Sequence, residues 1–198
     1  RSTHVSTPHM GVDALYIASQ IVVAVQGLVT RRTSPTEPVI IGIGKLNAGT
    51  TYNAVAAFAE MEGTTRTISQ ESRDRVRAQV SETAQSIAAL YGGTAEIEWT
   101  DFAAALVNDP QVCEEAAQVV DELLGEGHVV TDRELSLSGD NFAEFELYKP
   151  GAYAYLGTGN PDLPHTMITN HNGGFDVDEN ALVTGAGLYV GYTVARLG

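Results

Sequence analysis

Apolar residues in the first half of the chain recur at two spacings, one typical of helices and one typical of strands. Residues 12–31 form a predicted helix because apolar side chains return at heptad spacing, at Leu15, Val22 and Val29. The β-branched run 39–46 and the alternating run 55–68 predict two strands, separated by a turn. The pattern therefore begins as helix, strand, strand.

A second, longer helix is predicted to begin after Ser69, whose hydroxyl suits the N-cap position. Two glycines end this helix, and its apolar stripe consists of Val76, Val80, Ala84, Ile87 and Tyr91. A strand is predicted at 96–102, and residues 2–6 supply a first strand. The resulting order, β-α-β-β-α-β, predicts an α+β fold of the ferredoxin-like kind, one antiparallel sheet with two helices on one face.

The character of the sequence changes after Ala105, where polar and glycine-rich stretches lengthen. We therefore predict two domains, residues 1–105 and residues 106–198, the second being an α/β segment. Its predicted elements are a helix opening at Asp109-Pro110, short strands at 129–132 and 152–156, a long loop at 157–174 and a closing helix at 178–196. A loop of that length with few apolar residues is typically functional or disordered.

The charge balance argues against two classes of partner. The 198 residues carry a formal net charge of −14. Nucleic acids and anionic membrane surfaces both attract basic proteins, so we expect neither as a partner. The most apolar window, 17–29, contains Ser19, Gln20 and Gln26, and we expect it to be too short to span a bilayer.

The cysteine content limits the chemistry further. Cys113 is the only cysteine, so the chain can form neither an internal disulfide nor a cysteine-based zinc cluster. A single thiol fits a reducing compartment, and the cytoplasm is the expected location.

Histidines in polar segments are the first candidates for chemistry. His171 lies in a glycine- and asparagine-rich loop near carboxylates, a setting that suits a metal ligand. The alternative is an ordinary solvent-exposed histidine, and the same choice applies to His165. His4 and His9 flank Thr7-Pro8. Their spacing across a proline is not a familiar ligand spacing, so substrate contact or surface exposure is expected.

Two further side chains could bind a substrate carboxylate. Arg66 ends a predicted strand, and its planar guanidinium is the natural partner of a carboxylate. The alternative is a surface arginine in an ordinary ion pair. Asn53 follows Gly49-Thr50-Thr51-Tyr52 and either caps that turn or donates to a ligand. The sequence contains no phosphate-binding glycine loop, nucleophile elbow or zincin helix.

Seven short motifs follow one another along the chain. They are His4-Val5-Ser6-Thr7-Pro8-His9, Leu28-Val29-Thr30-Arg31-Arg32, Gly49-Thr50-Thr51-Tyr52-Asn53-Ala54-Val55, Glu62-Gly63-Thr64-Thr65-Arg66, Val107-Asn108-Asp109, Pro150-Gly151-Ala152 and the run from His171 to Glu179. In this order they resemble the aminoacylase/carboxypeptidase family of di-zinc amidohydrolases. The resemblance covers nearly the whole chain and implies a lid domain over residues 1–105, followed by the C-terminal segment of a zinc-peptidase catalytic domain.

The resemblance also implies a role for each candidate. His171 would be a ligand to one of two zinc ions, with manganese or cobalt as alternatives to zinc. His4 would polarise the scissile carbonyl or its oxyanion in the partner subunit's site, across a homodimer of lids. Asn53 and Arg66 would hold the carboxylate of an N-acyl amino acid or small peptide, whose amide a metal-bound water would attack.

The chain departs from the family pattern in two places and lacks one part. Gly139-Asp140-Asn141-Phe142 stands where the family has Ser-Glu-Asp-Phe, and Ala56 stands where it has proline. The N-terminal catalytic part, with the other metal ligands and the catalytic glutamate, is expected to be absent, and the chain alone is expected to be inactive. The alternative interpretation is a non-catalytic dimerisation module.

Overall fold

The computed structural model describes residues 1–198 and divides into two compact units. Unit 1 comprises Arg1–Ala105 and Leu137–Asn141, and unit 2 comprises Leu106–Ser136 and Phe142–Gly198. The return of residues 137–141 to unit 1 has no counterpart in the sequence pattern. The lid and catalytic roles assigned to residues 1–105 and 106–198 stay predictions.

Unit 1 contains two long helices and a two-stranded antiparallel sheet. Helix α1 spans Ala14–Gly27 and continues as a π-helical turn over Leu28–Arg32. Strand β1 spans Ile40–Ala48, strand β2 spans Ala59–Arg66, and helix α2 spans Gln70–Leu90. Both predicted helices and both strands of the predicted hairpin are confirmed.

Side-chain caps fix where the two helices begin. The Asp13 carboxylate accepts hydrogen bonds from the backbone N–H groups of Leu15 and Tyr16, at 3.0 and 3.2 Å. The Ser69 hydroxyl accepts one from the N–H of Ser72 at 3.1 Å, as the sequence predicts. Each cap satisfies donors that have no partner within the helix.

The core of unit 1 lies between the helices and the sheet. Its central side chains are Ile17, Ile21 and Val25 of α1, Val76, Ala84 and Ala88 of α2, and Val39 and Ile41 at the start of β1. Val80 and Ile87 pack at its border, so most of the predicted α2 stripe is correct. Tyr91 is an exception, because it is exposed and makes an edge-to-face contact with Tyr16.

The register of the hairpin shows at which end of the sheet Arg66 lies. Ile40 pairs with Arg66 at one end, and Ala48 pairs with Ala59 at the other. The register shifts between Ile43 and Lys45, which leaves Gly44 as a bulge. Arg66 therefore lies at the end of the hairpin opposite the connection between the strands.

The outer strands of the predicted sheet do not form, and the ferredoxin-like topology is not confirmed. Residues 96–102 lie along α2 instead, since Asp101 forms ion pairs with Arg73 and Arg77 and the Trp99 indole donates to Ser81. Residues 2–6 contribute one bridge, His4 with Ala54, to the segment before β2. Unit 1 is therefore a mixed α and β structure whose sheet has two strands.

Helix α1 and its π-turn are long and apolar enough to cross a membrane by length and composition, with a mean hydropathy of 1.3 over Ala14–Arg32. The expectation that this region is too short is therefore wrong. Its apolar side chains Ile17, Ile21 and Val25 are buried in the unit 1 core, and this packing accounts for the apolar character of that face. The absence of a membrane partner stays a prediction.

Unit 2 is built on two packed helices. Helix α3 spans Pro110–Leu124 with Asp109 as its N-cap, the short helix α4 spans Ala143–Glu146, and helix α5 spans Asn180–Leu197. The strands predicted at 129–132 and 152–156 do not form. The backbone of Tyr153 is instead hydrogen-bonded on both sides by the Asn108 carboxamide, at 2.9 and 3.0 Å, which replaces a strand partner.

Candidate functional site

His4 and Asn53 are brought together by backbone pairing at the end of the hairpin connection. The Val5 N–H donates to the Asn53 carbonyl at 3.2 Å, and the Val55 N–H donates to the Thr3 carbonyl at 2.8 Å. Residues 3–5 therefore run antiparallel to residues 53–55. His4 lies directly opposite Ala54, the neighbour of Asn53. An open cleft of about 370 Å³ next to this pairing is lined by Ser2, Asn47, Gly49, Ala56, Phe58 and Glu60.

The imidazole of His4 is exposed, and its tautomer is set locally. The backbone N–H of Ser6 donates to His4 Nδ1 at 3.2 Å, and the Ser6 hydroxyl lies 2.7 Å from the same nitrogen. A backbone N–H can only donate, so Nδ1 acts as an acceptor and the neutral ring carries its proton on Nε2. His4 thus presents an N–H donor, which is the group needed to bind a carbonyl oxygen or an oxyanion.

The side chain of Asn53 is oriented in a similar way. Thr51 donates its hydroxyl hydrogen to Asn53 Oδ1 at 3.1 Å. This hydrogen bond leaves the amide nitrogen of the half-buried Asn53 as the donor for another partner. His4 and Asn53 thus each offer a hydrogen-bond donor, the kind of group that binds an anionic or carbonyl oxygen.

Arg66 does not join this pair within one copy of the chain. It is the last residue of β2, and seven residue steps at about 3.3 Å each place it roughly 23 Å along the strand from Ala59. Arg66 is half-buried and takes no part in the ion pairs of unit 1, whose cations are Lys45, Arg73, Arg75 and Arg77. It is a separate cationic site at the opposite end of the hairpin.

The segment 137–141 lies against Arg66. A Cβ added to Gly139 would come within 2.9 Å of Arg66 Nη1 and 3.7 Å of the Phe102 ring. Because Gly139 has no side chain, the Arg66 guanidinium can lie close to its backbone. The sequence marks Gly139 only as a departure from the family pattern, and nothing local in it indicates the contact with Arg66.

His171 lies in unit 2 on an exposed turn, with a left-handed φ of 62°. Asn172 closes this turn by accepting a hydrogen bond from the Gly174 N–H on its side chain at 2.9 Å. His165, also exposed, lies 3.7 Å from an Asp176 carboxylate oxygen. The structure thus places His171 on an exposed turn of unit 2.

The long loop that carries these histidines is anchored by a hydrogen-bond network. Asn160 donates to one oxygen of Asp178 at 2.7 Å, and the other oxygen accepts the backbone N–H of Asn180 at 3.0 Å. The hydrogen bond from Asn160, followed by that from Asn180, holds the pKa of the Asp178 carboxyl below its usual value. Buried Thr166 donates to the Leu163 carbonyl at 2.8 Å. These hydrogen bonds hold the loop in a defined conformation.

The residues present do not by themselves make a metal site. No group of three or more histidine, cysteine, aspartate or glutamate side chains is arranged to hold an ion. A catalytic zinc ion takes about three protein ligands. The donor set of this chain therefore does not fit a complete catalytic zinc site.

Residues 1–92 match a family model described as the peptidase dimerisation domain of M20 peptidases. Over 184 residues the chain is 32% identical to thermostable carboxypeptidase 1 of Saccharolobus solfataricus, covering 92% of this chain and 46% of that protein. Over 183 residues it is 31% identical to N-acetyl-L-cysteine deacetylase of Bacillus subtilis, covering 92% and 42%. The chain thus spans about half the length of the curated relatives it matches.

Solved structures agree with these sequence matches. A candidate aminohydrolase from methicillin-resistant Staphylococcus aureus superposes with a TM-score of 0.87 at 27% identity, over 98% of this chain and 49% of that one. A dinuclear metal-binding peptidase of the M20 family from Bacillus subtilis gives 0.77 at 28% identity, over 94% and 47%. Residues 1–92 are therefore a peptidase dimerisation domain of the M20 kind, and the chain is related to M20 peptidases and amidohydrolases.

Proposed function

We propose that this chain is part of a metal-dependent amidohydrolase that cleaves the amide bond of an N-acyl amino acid or a small peptide. The observation that carries the proposal is the oriented donor pair of His4 and Asn53 on the dimerisation domain of a hydrolase family. The named relatives, a carboxypeptidase and an N-acetyl-L-cysteine deacetylase, suggest one substrate class, an amide beside a free carboxylate.

In this proposal residues 1–105 are the lid and dimerisation domain, and residues 106–198 are the C-terminal segment of the catalytic domain. The family's N-terminal catalytic part, which this chain does not contain, completes the enzyme. The ferredoxin-like sheet belongs to the proposal as well, and the antiparallel run of residues 3–5 beside 53–55 supports a first strand at that place.

The separation along the hairpin suggests how the substrate is shared between two copies. Arg66 and the His4–Asn53 pair lie at opposite ends of the sheet, too far apart to hold one small molecule from a single copy. In a two-fold dimer, the pair of one copy reaches the Arg66 end of the other. Arg66 then binds the substrate carboxylate, and the partner's His4 and Asn53 donate hydrogen bonds to the substrate.

Two metal ions complete the proposed site, with His171 as the ligand that this chain supplies. Support for metal use comes from the solved M20 relative described as dinuclear and metal-binding. Zinc is the proposed metal, and manganese and cobalt are the alternatives. The proposed location is the cytoplasm.

Mixed dimers test the shared site. In the assembled enzyme, we expect both His4→Ala and Arg66→Ala homodimers to lose activity on an N-acetyl amino acid by about 10²-fold or more. Random mixing of the two variants should restore about a quarter of the wild-type rate, because half the dimers then contain one intact site out of two. Mixtures as inactive as their parents would place both residues in a single-copy site and reject the proposal.

A non-catalytic dimerisation module is the second candidate. It is favoured by the match of residues 1–92 to a dimerisation domain. Binding of an N-acetyl amino acid to the assembled protein separates the two candidates. Loss of this binding in Arg66→Ala at unchanged dimerisation supports the enzyme, and absence of any binding in the wild type supports the module.

A further inference from the structure

Phe102 carries an aromatic ring beside the cation that the proposed function assigns to the substrate carboxylate. A Cβ added to Gly139 would lie 2.9 Å from Arg66 Nη1 and 3.7 Å from both Cδ1 and Cε1 of the Phe102 ring. The guanidinium and the ring therefore border the same space, which the missing side chain of Gly139 leaves open. All three residues belong to unit 1.

The ring is available to a ligand, since Phe102 is 71% exposed. A single exposed apolar side chain is common on protein surfaces and has no functional meaning by itself. What distinguishes Phe102 is the cation next to it. Gly139 is exposed as well, so the space between the two side chains is open to solvent.

The Arg66 guanidinium is free to bind an external anion. The arginines of the neighbouring helix α2 are paired within unit 1, because Arg73 and Arg77 bind Asp101 and Arg75 binds Glu37. Arg66 takes no part in these ion pairs. A planar guanidinium binds a carboxylate through two parallel hydrogen bonds, so a carboxylate is the ligand group that suits it.

The position of Phe102 is fixed by the residues before it. Asp101 forms an ion pair with Arg77, and Arg77 also lies over the Trp99 ring, 5.3 Å from its centre. These contacts hold the backbone that precedes Phe102 against α2. The ring is therefore held near Arg66 by the fold of unit 1.

We propose that Phe102 determines which amino-acid side chain the site accepts, and that it selects an aromatic one. In an amino acid the carboxylate and the side chain are attached to the same carbon, so a ligand bound to Arg66 places its side chain close to the carboxylate. The Phe102 ring is the apolar surface within reach, and two aromatic rings attract each other beyond the effect of burial. A basic side chain would be repelled by the Arg66 guanidinium.

This inference rests on the proposed function for the identity of the ligand as a substrate. The two-part surface of cation and ring does not depend on it. The preference can therefore be measured by binding to the full chain, separately from hydrolysis.

The test is an NMR titration of the chain with N-acetyl-L-phenylalanine and N-acetyl-L-alanine. We expect the phenylalanine compound to bind about tenfold more tightly, because its ring packs on Phe102. N-acetyl-L-phenylalanine amide, which lacks the carboxylate, should bind at least about tenfold more weakly than the acid. Arg66→Ala should remove the difference between the acid and the amide.

Variants of the ring separate its role from that of the cation. Phe102→Ala should abolish the preference for phenylalanine over alanine without changing the affinity for N-acetyl-L-alanine, and Phe102→Tyr should keep the preference. Phe145→Ala is the matched control, because Phe145 is 70% exposed but lies in unit 2. It should keep the preference as well.

Three results would overturn the inference. They are equal affinities for the two acids in the wild type, a preference that persists in Phe102→Ala with wild-type circular dichroism, and an amide that binds as tightly as the acid. A preference that depends on Phe102, in an assembled enzyme that hydrolyses neither acid, keeps the binding site and removes the proposed function. Hydrolysis of both acids with the same kcat/KM in the wild type and in Phe102→Ala keeps the proposed function and removes this inference.

Discussion

Ser6 shows how a residue without a catalytic role can decide the chemistry of its neighbour. Its backbone N–H binds His4 Nδ1, which leaves the proton of the neutral ring on Nε2. A hydroxyl residue two positions after a histidine is visible in the sequence. The direction of the ring is not, because it depends on the turn that residues 4–7 make.

Glu37 offers a test of a half-buried contact between the segment before β1 and helix α2. Its carboxylate accepts hydrogen bonds from the Ser72 hydroxyl and from Arg75, both in the first turn of α2 or just beyond it. The Ser72 hydrogen bond, and then the one from Arg75, lower the pKa of Glu37 from its ordinary value of 4.5. The ionised carboxylate is therefore the form that the fold stabilises.

We predict that Glu37→Gln lowers the melting temperature at neutral pH. A lowered folded-state pKa means that the stabilisation is complete above the unfolded-state pKa and is lost as the pH falls through the folded-state pKa. The difference between wild type and variant should stay constant from pH 7 to 5 and shrink below about 4.5. Melting curves by circular dichroism across this range provide the measurement, and Glu71→Gln on the same helix turn is the control. A difference that grows on acidification would contradict the prediction.

At the level of helices and strands, the sequence predicts elements whose partners are close in the chain. Ser69 and Asp109 cap their own helices, so the starts of α2 and α3 could be located correctly. The position of residues 96–102 could not be predicted, because an alternating pattern fits an edge strand of a sheet and an extended segment packed along a helix equally well. The segment packs along α2 because Asp101 forms ion pairs with Arg73 and Arg77. Arg77 also lies over the Trp99 ring, 5.3 Å from its centre.

The hairpin itself provides a prediction about packing. Gly63 of β2 lies where an added Cβ would be 2.5 Å from the Gly42 carbonyl oxygen and 2.8 Å from Ile43 Cδ1. Gly63→Ala should therefore destabilise the chain by about 1–3 kcal/mol, because a backbone atom has to move. Gly44 at the bulge has no neighbour within 4 Å of its Cβ position, so Gly44→Ala should change stability by less than about 1 kcal/mol.

Urea unfolding of the two alanine variants checks this pair. The expected result is a lower midpoint for Gly63→Ala at an unchanged slope, with Gly44→Ala near the wild type. Equal effects of the two substitutions would show that the close approach of Gly63 to β1 does not limit the packing.

Across the whole molecule, the motif order predicts the family but not the distances between its residues. His4 and Asn53 are 49 positions apart in sequence and adjacent in the fold, whereas Asn53 and Arg66 are 13 apart and lie at opposite ends of a hairpin. Proximity of this kind depends on strand register, which a single sequence leaves undetermined. A substrate site that uses His4, Asn53 and Arg66 therefore needs residues from two copies of the chain.

Metal content is the property that separates the chain from the assembled enzyme. Because no cluster of three ligating side chains exists here, we predict that the purified chain binds no stoichiometric zinc after dialysis. In the assembled enzyme it should bind two ions, and His171→Ala should then lower the affinity of one of them at least about tenfold, since even indirect ligand contacts are worth that much.

Elemental analysis by mass spectrometry gives both results. His165→Ala is the matched control, because His165 is an exposed histidine of the same loop that lies beside Asp176. It should leave the metal content unchanged. One equivalent of zinc on the isolated chain, lost in His171→Ala, would mean that the metal site is complete within this chain. It would also move the catalytic centre into unit 2.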